Sequence, residues 1–159
     1  MKYKILEHKA DIKIKVLGKT FEELYKNAVF AMAEILFKDA KIQFRNSRLP
    51  VDKAKLKKNI ITKSADKEIL LIDFLNDILG ESQINQAVYP EVRFIDFQPD
   101  GVQGMVYLKA EISGYPIERF DEDIKAVTYH DLSIRENSRK DKKGSRKFAN
   151  WEATILFDV

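Results

Sequence analysis

Two carboxylates in this 159-residue sequence occupy positions that packing does not explain. Asp11 stands at the mouth of a strand-like run, beside His8, and Asp158 is the penultimate residue, next to the terminal carboxylate of Val159. Brought together, these groups would repel one another. A hard divalent cation held by oxygen ligands would remove that repulsion, and calcium or magnesium suits such a donor set best. The spacing alone leaves a plainer alternative open, in which Asp11 caps a turn and Asp158 frays in solvent. Lys125 begins a second strand-like run, Lys125-Ala126-Val127-Thr128-Tyr129-His130. Sharing a face with Val127 and Tyr129, it either snorkels to a sheet edge or pairs with a carboxylate. His130, on the alternate face, reads either as a hydrogen-bonded strand histidine or as a ligand or proton shuttle.

Other standard chemistry is missing. The absence of cysteine excludes disulfides, thiolate metal sites and a cysteine nucleophile. With two histidines and no cysteine, a structural zinc site has too few ligands. There is no G-x-S-x-G stretch for a serine triad. Gly101 and Gly104 belong to a hairpin, and Gly18 and Gly80 stand alone, so no glycine-rich loop cradles a phosphate.

The elements that must position these residues read clearly. Residues 3–8 and 12–17 alternate as short strands. Thr20-Phe21-Glu22-Glu23 is a capping box, and Phe21, Leu24, Tyr25, Ala28, Met32, Ile35 and Leu36 follow at helical spacing to an end near Phe37. Residues 38–57 are irregular and basic, and Asn59 to Thr62 is a candidate strand. Ser64 and Asp66 mark a second helix start, whose apolar residues run to Gly80 as a stop. Apolar over more than one face, that helix belongs against a sheet. Val92–Phe97 and Val102–Ile112 form a hairpin across Pro99-Asp100-Gly101. Ile124–His130 with Leu132–Ile134 make a kinked or bulged strand, and Trp151–Val159 closes the chain. Strands in adjacent runs predict an α+β fold: a single-layer, mostly antiparallel or mixed sheet with two helices packed on one face.

Length and a 45% hydrophobic share suit one domain spanning residues 1–159, with basic loops at about 38–58 and 136–149. No apolar stretch reaches the roughly 20 residues that cross a bilayer, and MKYKILEHKAD is too charged for a secretory signal, so a soluble, cytoplasmic protein is expected. The net charge of +3 hides segregation. Residues 38–67 carry ten Lys/Arg against three Asp/Glu, and residues 135–147 carry seven against two, so the remainder is acidic. Such segments suit contact with RNA or an acidic protein surface, or simply keep loops soluble.

Several stretches in this order resemble the archease family, the accessory proteins of RtcB-type RNA ligases. They are Glu7-His8-Lys9-Ala10-Asp11-Ile12, Phe21-Glu22-Glu23-Leu24, Leu70-Leu71-Ile72-Asp73-Phe74-Leu75-Asn76, Lys125 to His130 followed by Leu132, and Trp151-Glu152-Ala153-Thr154 to Phe157-Asp158-Val159. The resemblance implies an α+β fold and a metal site built by Asp11, Asp158 and the Val159 carboxylate, with calcium expected and magnesium or manganese as alternatives. It implies an accessory protein rather than an enzyme. Such a protein would activate a ligase of tRNA splicing and RNA repair, promoting its guanylylation from GTP and its multiple turnover. The ligase-activating positions carried over are Asp11, Lys125 and Asp158, with Asp73 and His130 as weaker candidates. The implied partners are the ligase and, indirectly or through the basic loops, tRNA. A basic RNA-binding module and a stand-alone metal-dependent phosphoryl- or nucleotidyl-transfer enzyme are the rival readings. The chain departs from the family pattern in three places: Lys9 where threonine is usual, Glu118–Asp123 in place of His-Pro-Leu-Lys, and long basic segments.

Overall fold

Period-two burial builds the strands of this computed structural model. It describes every residue except Met1, Lys9, residues 46–54, Asp141, Lys142, Gly144 and Ser145, and gives the backbone alone at residues 7, 8, 43, 45, 138–140 and 146–149. Strand β1 (Tyr3–His8) pairs with β2 (Asp11–Gly18), where Ile12, Ile14 and Val16 are buried and Asp11 is exposed. Helix α1 (Phe21–Leu36) starts where Thr20 Oγ1 accepts the Glu23 N–H at 3.0 Å, as the capping box requires. A short α2 (Ala40–Arg45) follows, and then β3 (Leu56–Ser64). Helix α3 (Lys67–Asn85) is capped by Asp66, whose Oδ1 accepts from Glu68 and Ile69, both at 2.9 Å. Then come β4 (Ala87–Val102), β5 (Met105–Pro116), β6 (Ala126–Lys140) and β7 (Arg146–Asp158).

The fold is α+β as expected, but the strands do not form the single layer read from the sequence. They form two antiparallel sheets, of order β1-β2-β7-β6 and β3-β5-β4. Helix α1 packs on β2 and β4, and α3 packs on β3, β4 and β6, so each long helix touches both sheets. That explains why α3 is apolar over several faces, with Leu70, Leu71, Ile72, Phe74, Leu75, Ile78 and Leu79 all buried. Each such side chain contributes roughly 1.5–3 kcal/mol by leaving water. Between α1, α3 and β4 the rings of Tyr25, Phe74, Phe94 and Phe97 meet at centroid separations of 4.7–6.4 Å.

Four local expectations shift. The basic stretch after α1, read as irregular, contains α2 and the start of β3. The second helix does not stop at Gly80 but continues to Asn85, with Gln86 left-handed at φ 49°. The chain reverses at Gln103-Gly104 rather than at Pro99-Asp100-Gly101. Backbone strands β6 and β7 also extend through 135–140 and 146–150, where a loop was read. The expected kink between Ile124 and Ile134 is present as a register shift between Thr128 and Ser133. Among the described residues no helix is long and apolar enough to cross a membrane.

Candidate functional site

Strand β7 lies between β2 and β6, and its last residues meet both neighbours at one end of the sheet. In register, Asp158 stands opposite Asp11 on β2 and opposite Ala126 on β6. Directly opposed residues share a face with Cβ atoms about 4.5–5.5 Å apart. The two carboxylates therefore project together from the outer face, away from buried Ile12 and Phe157. Main-chain bonds tie the same end. The Lys125 N–H donates to the Asp158 carbonyl at 2.7 Å, and the Val159 N–H donates to the Ala10 carbonyl at 3.4 Å. Asp11, Lys125, Asp158 and Val159, drawn from three distant parts of the sequence, thus converge. Lys125 is exposed, and among the described residues neither it nor the two aspartates has an ion-pair partner.

This donor set is all oxygen, which fits a hard cation and no soft one. Among the described residues no three His, Cys, Asp or Glu side chains gather into a metal-holding group. A cation here would draw on two carboxylates plus main-chain oxygens of Val159 and water. The predicted neighbour Lys9 lies outside the described residues, as does the side chain of His8.

The two weaker candidates have other partners. His130 is exposed in the bulge of β6, its Nε2 3.6 Å from Asp131 Oδ2. Asp131, left-handed at φ 57°, also receives Lys13 Nζ at 3.3 Å. Asp73 accepts from Ser64 Oγ at 2.6 Å and from the Tyr129 hydroxyl, which ties α3 to β3 and β6. One turn along, Asp77 accepts from Thr62 Oγ1 at 2.6 Å. Burial pushes the Asp77 carboxyl above its ordinary value, the Thr62 bond opposes this, and the Asp73 charge adds to it. The bond to Asp73 likewise raises the Tyr129 phenol.

Asn76, which ends the family-like stretch Leu70–Asn76, and Gln83 were not among the site residues read from the sequence. Asn76 Nδ2 donates to the Val127 carbonyl at 2.8 Å while its Oδ1 accepts the Val127 N–H at 2.9 Å. Gln83 Nε2 donates to the Ile124 carbonyl at 3.0 Å. The available signal was polarity: amides seven residues apart interrupt a helix that is otherwise buried on several sides.

Residues 3–159 match the Archease protein family (MTH1598/TM1083). The chain belongs to the archease family. It is 29% identical over 159 residues to the protein archease of Methanosarcina barkeri, covering 99% of this chain and 95% of that one. It is 31% identical over 140 residues to the protein archease of Thermoplasma acidophilum, covering 85% and 86%. Two solved structures share its fold. Protein 1598 of Methanobacterium thermoautotrophicum superposes with a TM-score of 0.68 at 22% identity, covering 99% of both chains. The crystal structure from Thermotoga maritima, described as "an archease, possible chaperone", gives 0.52 at 19% identity, covering 98% of this chain and 96% of that one. The family resemblance carried by the motifs is borne out, and in this archease the motif residues Asp11, Lys125 and Asp158 lie at one end of one sheet.

Proposed function

We propose that this archease is an accessory protein of the cytoplasm that activates an RtcB-type RNA ligase of tRNA splicing and RNA repair. It would promote guanylylation and multiple turnover from the carboxylate end of its four-stranded sheet. The supporting observation is the register that sets Asp11 opposite Asp158 beside Lys125. Asp11, Asp158 and the main-chain oxygens of Val159 would hold a divalent cation, calcium first and magnesium or manganese as alternatives. When bound, that cation supplies positive charge for the phosphate oxygens of a nucleotide or RNA end. The chain's own residues do the placing. Three paired strands fix the separation of the two carboxylates, so little reorganisation is needed on docking. Lys125, exposed and without an ion-pair partner among the described residues, adds a mobile cation at the same end.

The test is guanylylation of the cognate ligase with and without this protein, across calcium, magnesium and manganese. Asp11→Ala and Asp158→Ala are expected to fold, because Asp11 is exposed and Asp158 only half-buried, and to abolish stimulation. Full stimulation by both variants would falsify the proposal. A phosphate-release assay with no ligase present separates this reading from a stand-alone enzyme, for which robust turnover is expected.

A further inference from the structure

The Lys125 segment needs outside support. Residues 117–125 have no strand pairing, and the β6–β7 register breaks after Thr128, so the ladder beside Lys125 is only Ala126, Val127 and Thr128. Strand β6 is also the edge of its sheet. An edge strand leaves alternate N–H and C=O groups without a neighbour. Here α3 supplies the partners. The Asn76 side-chain amide meets both main-chain groups of Val127, as an adjoining strand would. Gln83 takes the Ile124 carbonyl, and Asp73 takes the Tyr129 hydroxyl. At about 100° per residue, positions 73, 76 and 83 fall within roughly 80° of one another on the helix. They form one polar seam along an apolar helix, facing residues 124 to 129.

We infer that Asn76 and Gln83 are positioning residues of this archease, clamping the main chain on either side of Lys125 and Ala126. Because the Lys125 N–H bonds the Asp158 carbonyl and Ala126 pairs with Asp158, the clamp also steadies the Asp158 end of β7. Its role in activation rests on the function proposed above. Asn76 and Gln83 touch neither the carboxylates nor a reacting group. They act by holding the strand that carries Lys125, and displacement of about 1 Å at such a site costs up to about 100-fold in rate.

The experiment compares wild type with Asn76→Ala, Gln83→Ala and Lys125→Ala in two measurements. The first is amide hydrogen exchange. In Asn76→Ala, exchange at Lys125 and Val127 is expected to rise at least about tenfold while Leu108 and Ala110 on β5 keep wild-type protection, the mark of local opening. The second is ligase guanylylation titrated to saturation with each variant. A variant that is merely less folded reaches the wild-type plateau at higher concentration. A clamp variant reaches a lower plateau, and Asn76→Ala is expected to fall at least about tenfold, close to Lys125→Ala. Gln83→Ala, which removes one bond rather than two, is expected to lie between. Unchanged exchange at Lys125 and Val127, equal loss of protection at β5, or a wild-type plateau would each overturn the clamp. Failure of the wild-type chain to stimulate the ligase would instead overturn the proposed function, and exchange would still decide whether α3 holds the segment.

Discussion

Glu152 shows how a single residue of the outer sheet face becomes part of the fold. Its carboxylate is only 8% exposed and receives Lys15 Nζ at 3.0 Å, Asn137 Nδ2 at 2.7 Å and Arg135 Nη2 at 3.7 Å. Lys15 and Arg135 sit on the strands flanking β7, so the acid draws β2 and β6 onto the central strand. Removing the acceptor takes away the charged partner of the exposed Asn137 amide and leaves two cations side by side. Those cations are 41% and 66% exposed and can turn to water, which limits the loss. Glu152→Ala is expected to cost about 1–3 kcal/mol, and Arg135→Ala less than about 1 kcal/mol, by urea unfolding at neutral pH. Equal losses would show that the buried acid is not the centre of the network. The sequence marked Glu152 as part of a closing strand and of a family-like stretch, with no partner for it. Its burial comes from long side chains on two strands that lie beside it only in the folded sheet.

At the scale of elements, boundaries with a local chemical cause were legible and those set by tertiary contacts were not. The starts of α1 at Thr20 and of α3 at Asp66 follow from side-chain oxygens meeting free N–H groups, which the residue types announce. The end of α3 does not follow from Gly80, because the last turn is held from outside: Gln83 donates to the Ile124 carbonyl, and Asn85 donates to the Tyr89 hydroxyl. The β4–β5 turn is the exception, a boundary with a local cause that Pro99-Asp100-Gly101 obscured. A two-residue hairpin of type I′ needs positive φ at both positions, and Gln103 at 54° and Gly104 at 80° supply it, while Gly101, at 89°, lies in an irregular part of the ladder. Gly80 is a mid-helix glycine whose absent Cβ would have nothing within 4 Å. Gly80→Ala is therefore expected to stabilise the protein by roughly 0.5–1 kcal/mol, by reducing the freedom of the unfolded chain and filling no occupied space. A matched pair of thermal melts measures it, and destabilisation would mean that α3 needs the glycine for a partner's approach.

For the whole molecule, alternation identified strands but not their neighbours, so one sheet was read where two exist. The basic segments illustrate the same limit. Their cations left RNA contact and plain solubility equally open, and the fold turns several of them onto the protein itself. Lys41 lies 5.2 Å from the Phe30 ring, Lys55 5.1 Å from Phe44, and Lys67 5.4 Å from Trp151, while Arg135 and Lys57 sit in ion pairs. The candidate site was legible further than the sheet that carries it, because the family-like stretches contain Asp11, Lys125 and Asp158, although spacing alone left a turn cap and a frayed end open. What brings them together is the placement of the last strand between β2 and β6. That topology yields a final expectation. Phe157 is fully buried and pairs with Ile12 and Val127, and the Asp158 carbonyl receives the Lys125 N–H. Deleting residues 157–159 removes a core ring and the end of a central strand, at a cost of at least about 3–5 kcal/mol. The melting midpoint should fall by roughly 10 °C or more. Asp158→Asn keeps the ring, the ladder and the carbonyl, and is expected to stay within about 0.5 kcal/mol of wild type. Circular dichroism melts of both variants separate the two contributions. If the deletion melts with the wild type, β7 does not hold the sheet together, and loss of ligase stimulation on truncation could then be assigned to the missing charges. If it melts early, only the point variant can report on the carboxylates.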